Sequence, residues 1–417
     1  MKKFLKPFML MMALVAMFTI VSCDKEEDVK FELLTFKSGD IDLNGASAAT
    51  GVSTEPTLVM TFSKDIDVTG LTVTMKQVYD NAVVVVTKDV TAKVVTLTVP
   101  KLASGTSYEL TVSGLKSKDG EMFDPITRSF TTAGGFVPTG QVAYWPFNGN
   151  TNDEQGAYDP TASQVVAITY GADRKGGANG AAVFNGDNSI VEVSGADALI
   201  NTANFTVSFW VKTNSDHLNA DGNPTGHFVF GLGAFYGIQY EIFGGYDGSK
   251  FAIQYAMADN KTGAEDMWFP ALATDNTTGG WQGWDYAKSL TAEQMMAKLK
   301  DNWVHIVYTY SGADRKGTIY FDGVKMKSFD FDLWPDGDAK RAVSGMKWGG
   351  AAPDVVNELA FGFVQSRAGT MWDAEGWGGY DFATSNHFKG SLDEFRIFHK
   401  ALSAQEVDLL YKSEKGN

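Results

Sequence analysis

Between residues 31 and 132 polar and apolar side chains change places at nearly every step. The pattern runs through "TLVMTFS" (57–63), "LTVTM" (71–75), "AVVVVTK" (82–88), "KVVTLTV" (93–99) and "SYELTVSGL" (107–115). Successive side chains leave a strand on opposite sides, so period two marks strands with one buried face. In Tyr108-Glu109-Leu110-Thr111-Val112 the inward set is expected to be Tyr108, Leu110 and Val112. Turn residues in "ASGT" and "SKDG" separate the runs at the spacing of an antiparallel sandwich. Residues 31–133 therefore read as an all-β domain. No Asp/Glu/His cluster there argues for chemistry, so a spacer or scaffold role is expected.

Residues 134–140 close "TTAGGFVPTG", read as a linker with glycines for freedom and one proline for stiffness. From residue 141 to 417 a second, larger β domain is expected. In "FTVSFWVKT", Phe205, Val207, Phe209 and Val211 share one face, with Thr206, Ser208 and Trp210 on the other. Asp322-Gly323 between "TIYF" and "VKM" predicts a tight hairpin turn with positive φ at both residues. Ser403 with Glu406, and Thr291 with Gln294, have capping-box spacing and predict two short helices.

The run 31–133, in the order "EPTLVMTFSKDID", "VTLTVPKLASGTSYELTVSGLKSKDG" and "RSFTT", resembles a bacterial immunoglobulin-like module of envelope proteins. Opening "YWPFNGN", "FWVK", the Trp303-Val304-His305 strand and the closing "GSLDEFRI" with "ALSAQEV" resemble the laminin G-like branch of the concanavalin A-like lectin/glucanase jelly rolls. That resemblance covers most of 141–417 and implies an immunoglobulin-like β-sandwich followed by a concanavalin A-like jelly roll. It does not specify a ligand.

The chain has one cysteine, Cys23, so no disulfide within it is available and the fold must hold by packing. Before it stand Lys2, Lys3 and Lys6 and an apolar run from Phe8 to Val21, the layout of an export signal over residues 1–22. The run is too short for a permanent span of roughly 20 residues. Ile20-Val21-Ser22-Cys23 resembles a bacterial lipobox, which implies acylation of Cys23 and an anchor in the outer membrane. Residues 23–30, "CDKEEDVK", then read as an acidic tether, similar to the surface-export signal of some Gram-negative lipoproteins. A formal charge of −15 makes nucleic acid and anionic lipid surfaces poor partners.

Catalysis finds little support in this order of residues. Retaining glycosidases need two carboxyl groups about 5 Å apart, and related glucanases carry them as a Glu-x-Asp-x-(x)-Glu run that this chain lacks. Asp330 and Asp332 alternate without a glutamate, while Glu265-Asp266 and Asp393-Glu394 are adjacent pairs expected to face opposite ways. Histidines 217, 227, 305, 387 and 399 have no metal-ligand spacing. For calcium, Asn150, Asp153 and Asp393 resemble positions where related jelly rolls hold a structural ion. The alternative is that Asp153 caps a turn and Asp393 pairs with Arg396 or a lysine.

Tryptophan is more informative. Trp145, Trp210 and Trp303 fall in strands, whereas Trp268, Trp281, Trp284, Trp334, Trp348, Trp372 and Trp377 stand in turn-like surroundings. One reading makes them the small core of an insertion folded over the sheet. The other makes them platforms for pyranose rings, with Gln282 and Asp285 beside Trp281 and Trp284, and Asp373 and Tyr380 beside Trp372 and Trp377. The sequence-based expectation is a non-catalytic binder of extracellular polysaccharide or oligosaccharide, on the scale of accessory lipoproteins of an outer-membrane uptake complex. A protein-binding adhesin or structural envelope protein is the alternative, and a glycoside hydrolase the third.

Overall fold

The computed structural model describes residues 29–45, 47–219, 221–257, 259, 261–270 and 283–415. Cys23, most of the tether, Trp281 and Gln282 lie outside the described residues. Among those described, no helix is long and apolar enough to cross a membrane.

The first domain is a sandwich of two five-stranded sheets. One sheet has Leu33–Ser38, Thr57–Phe62 and Val94–Thr98 at its centre, and the other has Ile126–Thr132, Ser107–Ser113 and Thr72–Gln77. Tyr108, Leu110 and Val112 point inward as the alternation predicts, each 1% exposed, and meet Phe36, Phe62, Leu97 and Phe130.

In the second domain a nine-stranded sheet faces an eight-stranded one. The first strand, Gln141–Trp145, pairs with the last, Lys389–Phe398, so the two ends of the domain close on each other. Phe205, Val207, Phe209 and Val211 are fully buried between the sheets with Tyr240, Phe251, Tyr308, Phe361 and Phe395. Burial of one such aromatic contributes roughly 1.5–3 kcal/mol. The Tyr255 and Tyr308 hydroxyls hydrogen-bond at 2.8 Å, which satisfies two polar groups inside this core. Asp322 and Gly323 take φ of 51° and 76°, as the hairpin requires.

Both capping boxes form, at the starts of Ala292–Leu299 and Ala404–Lys415. The C-terminal helix covers the outer face of the nine-stranded sheet. Trp210 and His305 stack beneath Tyr411, and the Trp210 indole N–H donates to Glu414 at 2.8 Å. The same helix reaches the linker, which packs where freedom was expected. Phe136 is buried against Leu402, Val407 and Leu410, its N–H donates to Ser413, and Tyr79 of the first domain meets its ring edge-on at 5.5 Å.

Asp393 and Glu394 do not face opposite ways. Glu394 has φ of 52° where the strand register slips between Ser208 and Trp210, and this bulge turns both carboxylates to Arg174. Arg396 completes the buried network through Glu394 and, at 2.7 Å, Glu414.

Candidate functional site

Four consecutive strands of the eight-stranded sheet build the site: His227–Leu232, Ile238–Ile242, Ser249–Met257 and Thr262–Phe269. Their alternation sends Tyr240, Phe251, Ile253 and Met267 into the core. The residues between them go to the outer face, where register aligns them in rows. Phe228, Glu241, Lys250 and Trp268 form one row, and Gly231, Gln239, Ala252 and Asp266 the next. The second row is low at Gly231 and Ala252, and a depression results. Gly231 is required there, because a Cβ would lie 1.9 Å from the carbonyl oxygen of Val364 in the covering loop.

That loop, which follows the strand Leu359–Phe361, forms a small core of its own on the outer face. Trp372 is 6% exposed within it, packed with Phe228, Ala234, Phe363 and Val364. Arg367 ties the loop to Glu192 at 2.6 Å, and the Tyr380 hydroxyl donates to the Asn188 carbonyl at 2.6 Å. The tip returns along the first strand: Phe228 N–H donates to Asn386 O, and Asn386 N–H to Trp377 O. Trp377 is thereby set at the rim, 41% exposed, with its ring 6.0 Å from Phe228. Phe235, 40% exposed, stands beside Trp372 at 6.0 Å.

Rim and floor enclose a cavity of about 310 Å³ lined by Phe228, Phe235, Gln239, Glu241, Lys250, Asp266, Trp377 and Asn386, with Ala234 and Ala252. Lys250 Nζ lies 3.4 Å from Asp266 and 3.8 Å from Glu241, and 5.0 Å above the Trp268 ring. Burial raises the Glu241 carboxyl above the usual range, against the pull of Lys250. Gln239 is only 5% exposed and forms part of the cavity floor. Aromatic walls over a floor of amide and carboxylate groups suit a polyhydroxylated ligand with apolar C–H faces.

The expected site residues are thus divided. Trp268 stands in a strand, not a turn, with Phe243 at 5.2 Å and Lys250 over its ring, so it continues the same outer face. Trp377 lines the cavity, whereas Trp372 is the buried anchor of the loop and Tyr380 its strut. Asp373 is exposed on the loop and does not line the cavity. Trp284 and Asp285 belong elsewhere, on the edge strand Trp284–Ala287 of the nine-stranded sheet, where Asp285 pairs with Lys316 at 2.8 Å. The strand carrying Trp284 and the loop carrying Trp372 and Trp377 are attached to different sheets. Phe235, Gln239, Glu241, Lys250 and Asn386 were missed. For Gln239, Glu241 and Lys250 the signal was the polar alternate positions in "GIQYEIF" and "SKFAIQYAM".

At the expected calcium position, Asp153 accepts from the backbone N–H groups of Tyr144, Gln155, Ala157 and Tyr158. Asn150 caps its own turn at Asn152, and Asp393 is engaged by Arg174. Among the described residues, no group of three His, Cys, Asp or Glu is placed to hold a metal ion.

Residues 185–355 match the concanavalin A-like lectin/glucanases superfamily, and residues 41–132 match the bacterial Ig-like domain. No curated protein matches the chain. Among solved structures, the botulinum neurotoxin type G receptor binding domain is similar at 16% identity and TM-score 0.38, over 66% of this chain and 52% of that one. The binding domain of Paraclostridial Mosquitocidal Protein 1 is similar at 15% identity and TM-score 0.39, over 66% and 52%. Domain 4 of AbnA, a GH43 extracellular arabinanase from Geobacillus stearothermophilus, solved with arabinotriose, is similar at 19% identity and TM-score 0.35, over 66% and 98%. The chain spans about half the length of the toxin binding domains.

Proposed function

The chain carries a bacterial Ig-like domain followed by a concanavalin A-like sandwich, and from that premise we propose that it binds extracellular glycan, without cleaving it, in the Trp377 cavity. The observation that carries this reading is the exposed Trp377 ring at the rim of a cavity whose floor holds Gln239, Glu241 and Asp266. An open indole face beside a few convergent polar groups is the composition of a small-ligand site. A pyranose suits it, with its C–H face on the ring and its hydroxyls on Gln239, Asn386 and the carboxylates. Each stacking aromatic adds only about 1 kcal/mol beyond area burial, so a single cavity binds weakly.

In the same reading Cys23 is acylated, residues 23–30 are the tether, and the Ig-like domain is a spacer that holds the cavity away from the outer membrane. Anchoring many copies on one membrane raises avidity for a polymer. The non-catalytic part is supported by Lys250, whose ammonium lies between Glu241 and Asp266 and engages both.

Affinity electrophoresis of the mature chain in gels containing neutral polysaccharides tests the proposal. Retardation that Trp377→Ala removes without a change in Tm supports it. Retention of a protein ligand with indifference to every polysaccharide favours an adhesin, and accumulation of reducing ends favours a hydrolase.

A further inference from the structure

We infer that the cavity selects neutral pyranosides and turns away sugars bearing a carboxylate, a specificity that rests on the glycan-binding reading above. Selectivity depends on which charges on its floor are free. Of the residues lining it, two are acidic, Glu241 and Asp266, and one is basic, Lys250; the others are neutral. Lys250 is already committed: Asp266 at 3.4 Å, Glu241 at 3.8 Å and the Trp268 face at 5.0 Å surround its ammonium. A uronate or sialate entering the cavity meets two carboxylates and a cation that both already hold. Recognition of a carboxylate calls for a bidentate guanidinium or a free ammonium, and no arginine lines this cavity.

A neutral sugar meets the opposite situation. Ionised carboxylates accept hydrogen bonds only, and sugar hydroxyls donate them. Glu241 and Asp266 therefore suit adjacent hydroxyls, while Gln239 and Asn386 both donate and accept. The formal charge of −15 on the whole chain acts in the same direction at a distance, but salt screens it. The short-range exclusion inside the cavity is screened less.

The test is a set of matched polymers that differ only at C6. The mature chain is run in affinity gels containing a β-1,3-glucan, an α-1,4-glucan, a β-mannan or a β-galactan, each beside its form oxidised at C6 to the uronate. The expected result is retardation by at least one neutral polymer and binding at least ~10-fold weaker to its oxidised partner at moderate salt. Glu241→Gln with Asp266→Asn is expected to narrow that difference to about 3-fold. Asp266→Asn alone, on an exposed side chain, gives part of the same change should the double variant not fold. Equal retardation by a neutral polymer and its oxidised partner overturns the charge selection and leaves the site standing. Absence of any retardation, or retardation that Trp377→Ala does not reduce, overturns the site itself and the selectivity with it.

Discussion

Trp377 meets Phe228 edge to face, with ring centroids 6.0 Å apart, one ring open to solvent and the other 3% exposed. The pair joins the loop tip to the first strand of the site, so Trp377 is held at the rim by a residue belonging to the sheet. Trp372, 6.4 Å from Trp377, lies inside the loop core. Two tryptophans five positions apart thus have opposite duties.

Substitution separates those duties. Trp377→Ala is expected to weaken glycan binding by at least ~10-fold and leave Tm almost unchanged. Trp372→Ala removes a buried aromatic and is expected to cost about 3–5 kcal/mol of stability. Thermal melts and affinity gels on the two variants check both. Equal loss of stability in both would contradict the assignment.

The charge network under the C-terminal helix is a stability element. Arg174 is paired with Asp393 and Glu394, and its guanidinium lies 5.2 Å from the Trp210 ring. Arg174→Met leaves buried Asp393 without its cation while Arg396 still holds Glu394, and a loss of about 3–5 kcal/mol in urea unfolding is expected. A change below about 1 kcal/mol would show that water already reaches the network.

Buried imidazoles make stability depend on pH. Burial lowers His227 and His305 from 6.5 to about 3, and His217 to about 4. Each stays neutral in the folded chain while the unfolded chain takes up a proton below pH 6.5. Their contribution is therefore complete above pH 6.5 and lost as pH falls toward 3, at up to about 1.4 kcal/mol per pH unit for each. Asp393, raised by burial to about 7, acts in the opposite direction. The share of one histidine is read from the difference in slope between the native chain and His227→Phe from pH 6 to 4. A variant with an unchanged slope would contradict the assignment.

Anchoring is tested at Cys23. Expression with an alkyne fatty acid is expected to label the native chain and leave Cys23→Ala unlabelled and soluble after cell lysis. Labelling of the variant would contradict the lipobox reading.

Alternation made much of the fold legible. Phe205, Val207, Phe209 and Val211, the Asp322-Gly323 turn and the Ser403 box all depend on neighbours a few residues away. The cavity depends on register among strands starting at 227, 238, 249 and 262, and on a loop from beyond residue 361 that returns to lie on them. Local periodicity contains no information about which residue faces which across strands. Trp268 and Trp284 looked like turn residues because Pro270 and the glycines around Trp281 stand near them, yet pairing with Lys250 and Phe329 places both in strands. Asp393 and Glu394 were misread for a related reason: a bulge reverses the alternation that the sequence implies.

Hydroxyl-radical footprinting with peptide mass spectrometry, on the mature chain with and without a polysaccharide that retards it, locates the site directly. Protection is expected at Trp377 and Phe235, with Trp284 and Tyr286 unchanged. Protection of Trp284 and Tyr286 with Trp377 still fully oxidised would contradict the account.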